Sequence, residues 1–353
     1  MPKSGKGVDN RAGLELEKVY RGGELLGVLE RAALARALLV GVDDLTALGP
    51  MEIVLEVTSR CNLKCPMCVR TFQCGGRPSL DMPVEHFDRI LANLWSGTER
   101  VALAGLGEPC LHPELASMVS RLVESGFPVV LYSNATRLTP SLSDALLNAG
   151  LSGVVFPVDG HSPEVYEKYR VGADYLVVRD NVLDFIGRRD ALGVDCFVEV
   201  QMLKLPGTEN QINAYRHFWK DAGADAVRYK ADHMQDTGSR RSGICPMPWR
   251  GPATIDVNGR VFPCCVQDES SVVLGSAIET SIVDLWNGPI ARKVRRDFRE
   301  TRAKLATCKA CEIPLPPVPV SAGGSLLSPF AARRILTASE RLLNFFSFLG
   351  GKK

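Results

Sequence analysis

The sequence predicts an α/β fold in which parallel βαβ units fill the middle of the chain and a small cysteine-rich domain follows. Two observations predict it. Between Glu52 and Lys230, six short apolar strands alternate with helical stretches, and such alternation builds a parallel sheet covered by helices. Beyond residue 245 the alternation stops, and five of the eleven cysteines fall between 245 and 315. Periodicity alone does not separate an open barrel from a doubly wound sheet.

In chain order, residues 24 to 40 read as an amphipathic helix ahead of the core. Strands are expected near 53–57, 100–104, 128–133, 153–158, 195–201 and 226–230. Each of the first five is followed by a helical stretch. His112 to Ser125 is one of these, with Pro113 at its first turn and Gly126 past its end. Strand five, Cys196 to Met202, places Glu199 and Gln201 on one face and Cys196, Val198 and Val200 on the other. Polar side chains belong on the face of a wet cavity, so Glu199 and Gln201 are expected inside and Cys196 beneath a helix. Strand six repeats the logic, with Arg228 and Lys230 on one face and Val227 and Tyr229 on the other. Asn258-Gly259 marks a hairpin within 254–262, and one helix is expected from about Ser281 to Glu300. A proline-rich linker (Pro314, Pro316, Pro317, Pro319) precedes a last helix, for which Ser328-Pro329 supplies an N-cap and first turn. The expected divisions are a helical extension over 1–50, the βαβ domain over 51–235, the cysteine-rich domain over 236–315, and linker plus amphipathic helix over 316–353.

Composition narrows the function classes. In 353 residues, 45% are hydrophobic and 23% charged, as in ordinary globular proteins. A net charge of +2 gives no footprint for nucleic acid. Eleven cysteines are too sparse for a disulfide scaffold, and they cluster in metal-type spacings. No run reads as a signal peptide or reaches membrane-spanning length, so a reducing cytoplasm is the expected compartment.

Cys61, Cys65 and Cys68 carry the strongest chemistry. Three thiolates spaced C-x3-C-x2-C can hold three corners of a cubane iron–sulfur cluster and leave the fourth iron open. A zinc site would want a fourth ligand nearby, and the loop to Thr71 has no further thiol and no histidine. This spacing, just after an apolar strand, resembles the radical S-adenosylmethionine (radical SAM) superfamily. Met67 departs from that family's usual aromatic residue, although it covers a cluster with a polarizable apolar side chain.

The resemblance implies a partial (β/α)6 barrel. It also implies a [4Fe–4S] cluster whose open iron binds the amino and carboxylate groups of S-adenosylmethionine, which is cleaved to a 5′-deoxyadenosyl radical. Gly105-Leu106-Gly107-Glu108-Pro109 resembles the family's Gly-Gly-Glu-Pro element, with Leu106 inserted, so Gly105, Gly107 and Glu108 would meet the cofactor's ammonium. Ser133 and Asn134 would face its ribose, Asp159 the ribose or the substrate, and Arg170 its carboxylate. Gln201 would join them from inside the barrel. On the residues alone, the glycine segment is a turn and Arg170 a solvated helix residue.

Cys245, Cys264, Cys308 and Cys311 form a second constellation, spaced C-x18-C-x43-C-x2-C. A four-cysteine zinc site is one reading. Beside such a barrel the pattern resembles a shortened SPASM domain of the twitch type, which holds one auxiliary [4Fe–4S] cluster. Its spacing is similar to that of aminocyclitol-oxidising members of the superfamily. Cys265 is the neighbour that could replace Cys264, and the Gly-x4-Cys step from Gly259 favours Cys264. Cys74 and Cys110 read as small apolar residues.

The expected function is therefore a radical SAM oxidoreductase with two clusters that removes hydrogen from a small polar substrate such as a sugar or aminocyclitol. The auxiliary cluster would accept an electron, and Glu199, Arg228 or Lys230 would take or orient the hydroxyl proton. A flavodoxin or ferredoxin would supply electrons. The rivals are an epimerase, a peptide maturase, and a non-catalytic iron–sulfur or zinc scaffold. The helical pattern of Phe330 to Leu349 is assigned to docking on the chain's own barrel ahead of a membrane surface.

Overall fold

The computed structural model describes residues 48–72, 78–231, 245–265, 271–301 and 304–311. The N-terminal extension, Cys74, the proline-rich linker and the C-terminal helix lie outside the described residues.

Six parallel strands form the frame: β1 (Glu52–Leu55), β2 (Arg100–Leu103), β3 (Val129–Tyr132), β4 (Gly153–Pro157), β5 (Phe197–Lys204) and β6 (Ala226–Ala231). The helices between them are α1 (Val69–Phe72), α2 (Val84–Asn93), α3 (Leu115–Glu124), α4 (Pro140–Asn148), α5 (Pro163–Tyr169), α6 (Tyr175–Leu192) and α7 (Ile212–Asp221). Strands covered in this way read as continuous apolar runs, and all four residues of β2 are buried. The helices present one apolar stripe each: α3 buries Leu115, Met118, Val119 and Leu122, the spacing of a single helix face. Local chemistry fixes the helix ends. Thr139 accepts a hydrogen bond from the Leu142 N–H ahead of Pro140, and Asp174 accepts from the N–H groups of Leu176 and Val177. Gly193, at φ +63°, closes α6 in the left-handed region.

The strands therefore have two unlike faces. The outer face joins the main core, where Cys196, Val198 and Val200 lie beneath the helices. The inner face holds a small separate apolar cluster of Val130, Val155 and Phe197, with Tyr132 and Ala226 against it. Glu199 and Gln201 follow Phe197 on that inner face.

The sheet continues past the expected division at residue 235. After α8 (Met247–Arg250), β7 (Ala253–Ile255) pairs parallel with β1, with Ile53 opposite Ala253 and Leu55 opposite Ile255. Strands β8 (Arg260–Phe262) and β9 (Gly275–Ser276) extend it, giving the order β6-β5-β4-β3-β2-β1-β7-β8-β9. The Asn258-Gly259 hairpin forms as expected. Asp256 accepts the N–H groups of Asn258 and Arg260 through Oδ1, and Gly259 takes φ +77°.

One expectation is corrected. The single helix from Ser281 to Glu300 is two, α9 (Ile282–Asn287) and α10 (Pro289–Glu300), with α11 (Ala306–Ala310) after them. Pro289 has no N–H to donate and forces Gly288 into an extended conformation, so the first helix ends there and a second begins. Among the described residues, no helix is long and apolar enough to cross a membrane.

Candidate functional site: two cysteine-lined cavities

Cys61, Cys65 and Cys68 sit in the loop between β1 and α1 and face a cavity of about 220 Å³. Leu106, Gly107, Glu108, Ser133, Asn134 and Arg170 line the same space. The loop is pinned from two sides: Lys64 N–H donates to the Val171 carbonyl, and Asn62 bonds to Thr136 and Asn134 side chains. Burial pushes the thiols of Cys61 and Cys65 above their ordinary pKa, while the guanidinium of Arg170 beside Cys65 pulls the other way. Buried thiols of this kind become ligands when a metal cation replaces the proton.

The glycine segment has steric reasons for its composition. A Cβ on Gly107 would lie 1.9 Å from the Thr58 carbonyl oxygen, so only glycine lets the segment approach the chain that leads from β1 into the cysteine loop. Gly105, at φ +140°, lies against the side chain of Glu56. Glu108 ends the segment as a buried carboxylate. It accepts from Ser133 Oγ and the Asn134 N–H at 2.7 Å each, and from the Cys110 N–H at 3.1 Å. Burial raises its pKa, and these donors oppose the rise. Glu108 thus holds the turn after β3 against the cysteine loop while bordering the cavity itself. That turn includes Ala135 at φ +59°, a left-handed conformation rare for a residue with a side chain.

Arg170 and Asp159, read separately in the sequence, form one unit. The guanidinium bonds to Asp159 Oδ2 at 2.7 Å through Nε and at 2.5 Å through Nη2, and its Nη1 lies 4.0 Å from Cys65 Sγ. Asp159 is fully buried and also accepts the Leu203 N–H. Arg170 therefore faces the cavity, and Asp159 aims it from behind.

Glu199, Gln201, Arg228 and Lys230 meet each other on the inner face of β5 and β6, apart from the lining of the cysteine cavity. Arg228 donates to Glu199 at 2.9 Å, Gln201 donates to Glu199, and Lys230 donates to Gln201 at 3.2 Å.

A second cavity, about 60 Å³, is bordered by Cys245, Cys264, Cys265, Cys308 and Cys311. Its remaining walls are mainly apolar, with Val272, Val294, Phe298 and Leu305 among them. Burial pushes the Cys245 thiol up to about 12. Cys264 and Cys265 both reach this space. Among the described residues no three Cys, His, Asp or Glu side chains gather at a single-ion position, and the five thiols border a space.

Sequence reasoning missed Glu56. This buried carboxylate accepts the Leu106 N–H through Oε1 at 2.9 Å and the Val257 N–H through Oε2 at 3.3 Å. It joins the glycine segment to the hairpin beyond β7. Its signal was an acid inside the apolar run Ile-Val-Leu-Glu-Val.

With this geometry in place, two family models match the chain: the radical SAM superfamily over residues 55–212, and an iron–sulfur cluster-binding (SPASM) domain over residues 245–312. Residues 55–212 carry a radical SAM domain and residues 245–312 a C-terminal SPASM-type iron–sulfur domain, and the cofactors of these families are S-adenosylmethionine and [4Fe–4S] clusters.

Among curated relatives, it is similar to a tungsten-containing aldehyde ferredoxin oxidoreductase cofactor-modifying protein of Pyrococcus furiosus, 34% identical over 30% of each chain. It is also similar to a PqqA peptide cyclase of Ruegeria pomeroyi, 29% identical over 35% of this chain and 33% of the relative. Among solved structures it is similar to BtrN in complex with AdoMet and 2-DOIA, at 20% identity over 74% of this chain and 92% of that chain, TM-score 0.49. The matches to the first three curated relatives cover 30%, 35% and 53% of their lengths.

Proposed function

We infer that this radical SAM enzyme oxidises an alcohol of a small polar substrate, with its radical chemistry in the first cavity. When bound, the cluster and S-adenosylmethionine supply a hydrogen-abstracting radical, and the auxiliary cluster supplies an electron sink. Cys61, Cys65 and Cys68 would hold the first cluster. Cys245, Cys308, Cys311 and Cys264, with Cys265 as the alternative to Cys264, would hold the second. Four thiolates leave the second cluster no open iron, which suits electron transfer.

The chain's own residues divide the remaining work. Arg170, aimed by Asp159, offers a fixed cation to the cofactor's carboxylate. Glu108 offers a carboxylate to its ammonium and keeps Ser133 and Asn134 in place for the ribose. Inside the barrel, Glu199 receives the substrate's hydroxyl proton at a carboxylate oxygen, while Arg228 and Lys230 orient the oxygen it leaves.

The observation that carries this reading is the polar patch of Glu199, Gln201, Arg228 and Lys230 on an inner wall that is otherwise apolar at Val130, Val155 and Phe197. A hydroxylated substrate offers further donors and acceptors to this half-exposed network. A product assay with candidate sugars and aminocyclitols tests it. Glu199→Gln should leave S-adenosylmethionine cleavage intact and lower ketone formation by about 10²-fold, a usual size for a lost general base. One solvent deuterium in an unoxidised product would instead mean epimerisation.

A second reading is peptide maturation, favoured by the similarity to a PqqA peptide cyclase. Turnover of a peptide with no ketone from any small alcohol would establish it over the first.

A further inference from the structure

The polar patch inside the barrel is not electrically balanced. Glu199 is its one carboxylate, and it already accepts from Arg228 at 2.9 Å and from Gln201. Lys230 is left over. Its one partner among the described residues is the neutral side-chain carbonyl of Gln201, at 3.2 Å. The strand end beside it supplies no counter-charge. Asp159 accepts the N–H of Leu203, the residue opposite Lys230 in register, but its other oxygen is committed to Arg170. A half-buried ammonium is stabilised by an anion, because burial penalises an unpaired charge. The patch also lies within reach of the first cavity. Pro157 lines that cavity and is opposite Gln201, which is opposite Arg228. Two strand spacings span about 10 Å, so one sugar-sized molecule reaches from the cavity to the cation.

We propose that the substrate carries an oxyanion, a carboxylate or a phosphate, and that Lys230 binds it and so selects acidic polyols over neutral or amino-bearing ones. This rests on the reading of the patch as the wall that binds the substrate. An ammonium has three donors, and Gln201 takes one, which leaves two for the oxygens of an anion. Charge-assisted bonds of this kind are stronger than neutral ones, whereas an amino substituent would meet a like charge. The other lysine of these two strand ends has a different setting: Lys204 is exposed and lies over the ring of Tyr229, on the opposite face of β6. Lys230 also reaches the rim of the second cavity, where burial raises the Cys265 thiol and the lysine's charge opposes the rise. A cluster there is the rival anion, and the experiment separates the two.

The experiment titrates the reconstituted holoenzyme, with S-adenosylmethionine bound, by anaerobic calorimetry. The probes share one skeleton: glucose, glucosamine, glucuronate and glucose-6-phosphate. At least one acid should bind about tenfold or more tighter than glucose, the size of a charge-assisted bond gained, and glucosamine should bind most weakly. The tighter of the two acids distinguishes carboxylate from phosphate. Lys230→Gln should erase the preference, Lys230→Arg should retain most of it, and Lys204→Gln should leave it whole. Equal affinity across the series, or no binding of either acid, overturns the proposal. So does an equal loss in Lys204→Gln, which would mean diffuse surface attraction. An acid preference that survives Lys230→Gln in iron-loaded protein, while the midpoint potential of the auxiliary cluster shifts, overturns it too and assigns the cation to the second cavity. The two readings fail separately. An acid held through Lys230 that yields no ketone removes the oxidation alone, whereas ketone from glucose or glucosamine without any acid preference removes the anion subsite alone.

Discussion

The two cavities place the same donor chemistry, clustered cysteine thiols, in unlike surroundings. In the first, all three cysteines come from one loop of eight residues, and the rim sets the polar side chains of Glu108, Ser133, Asn134 and Arg170 among apolar ones. In the second, five cysteines come from three separate stretches, and the rim is mostly apolar. A polar rim with a missing fourth thiol suits a cofactor that binds, reacts and leaves. An apolar rim with a thiol to spare suits a cluster that stays and is shielded from exchange. The number of thiols and the polarity of their neighbours, more than the thiols themselves, distinguish the two cavities.

The largest effect should come from emptying the first cavity of thiols. Changing Cys61, Cys65 and Cys68 together to alanine should abolish 5′-deoxyadenosine formation and leave about four of about eight iron, as loss of one of two cubanes would. Persistent cleavage would break the comparison, because the exchanging site would then be the other cavity. Next in size is Cys308→Ala. Its iron should also fall by about half, yet S-adenosylmethionine should still be cleaved while almost no ketone forms. Ketone in parent yield would show that the second cavity is no electron sink.

Glu108→Gln sharpens the contrast between the rims. Its amide NH₂ would confront either the Asn134 N–H or the Ser133 hydroxyl and Cys110 N–H, and it would lose the charge offered to an ammonium. Cofactor binding should weaken by about 1.5–3 kcal/mol, or ten- to a hundredfold, with both clusters assembled. Equilibrium dialysis measures it, and equal affinity would make Glu108 a loop anchor alone. The smallest effect on turnover is expected of Glu56→Gln. One of the Leu106 and Val257 N–H groups would face an NH₂, costing about 1–3 kcal/mol of stability. A thermal scan of the holoenzyme should show the loss, and an unchanged midpoint would mean the two regions are not joined through this carboxylate.

Much of this was legible in the sequence because it is local. The six strands fall within a few residues of their apolar runs, and Asn258-Gly259 announced its turn. Gly288-Pro289 announced a helix break too, but the apolar spacing on either side invited one helix across it. What was not legible depends on distance along the chain. Nothing near Ile53 or Ala253 signals that these residues pair. Glu108 was aimed at the ligand by its motif, whereas its bonds to Ser133 and Asn134 exist only once β2 and β3 lie side by side. The union of Asp159 with Arg170 likewise forms only once α5 returns the chain to the end of β4.

The pairing of β1 with β7 also bears on how the protein is made. Strand β1 is the first of the described strands to leave the ribosome, and its partner on one side follows about two hundred residues later. Until then its outer edge carries unpaired backbone groups, the feature by which nascent sheets find wrong partners. Contacts this remote close slowly, because a long loop must be ordered before they form. Covering that edge of β1 therefore waits until β7 has been made. A chain arrested before residue 253 should be readily captured by chaperones, however sound its first six strands.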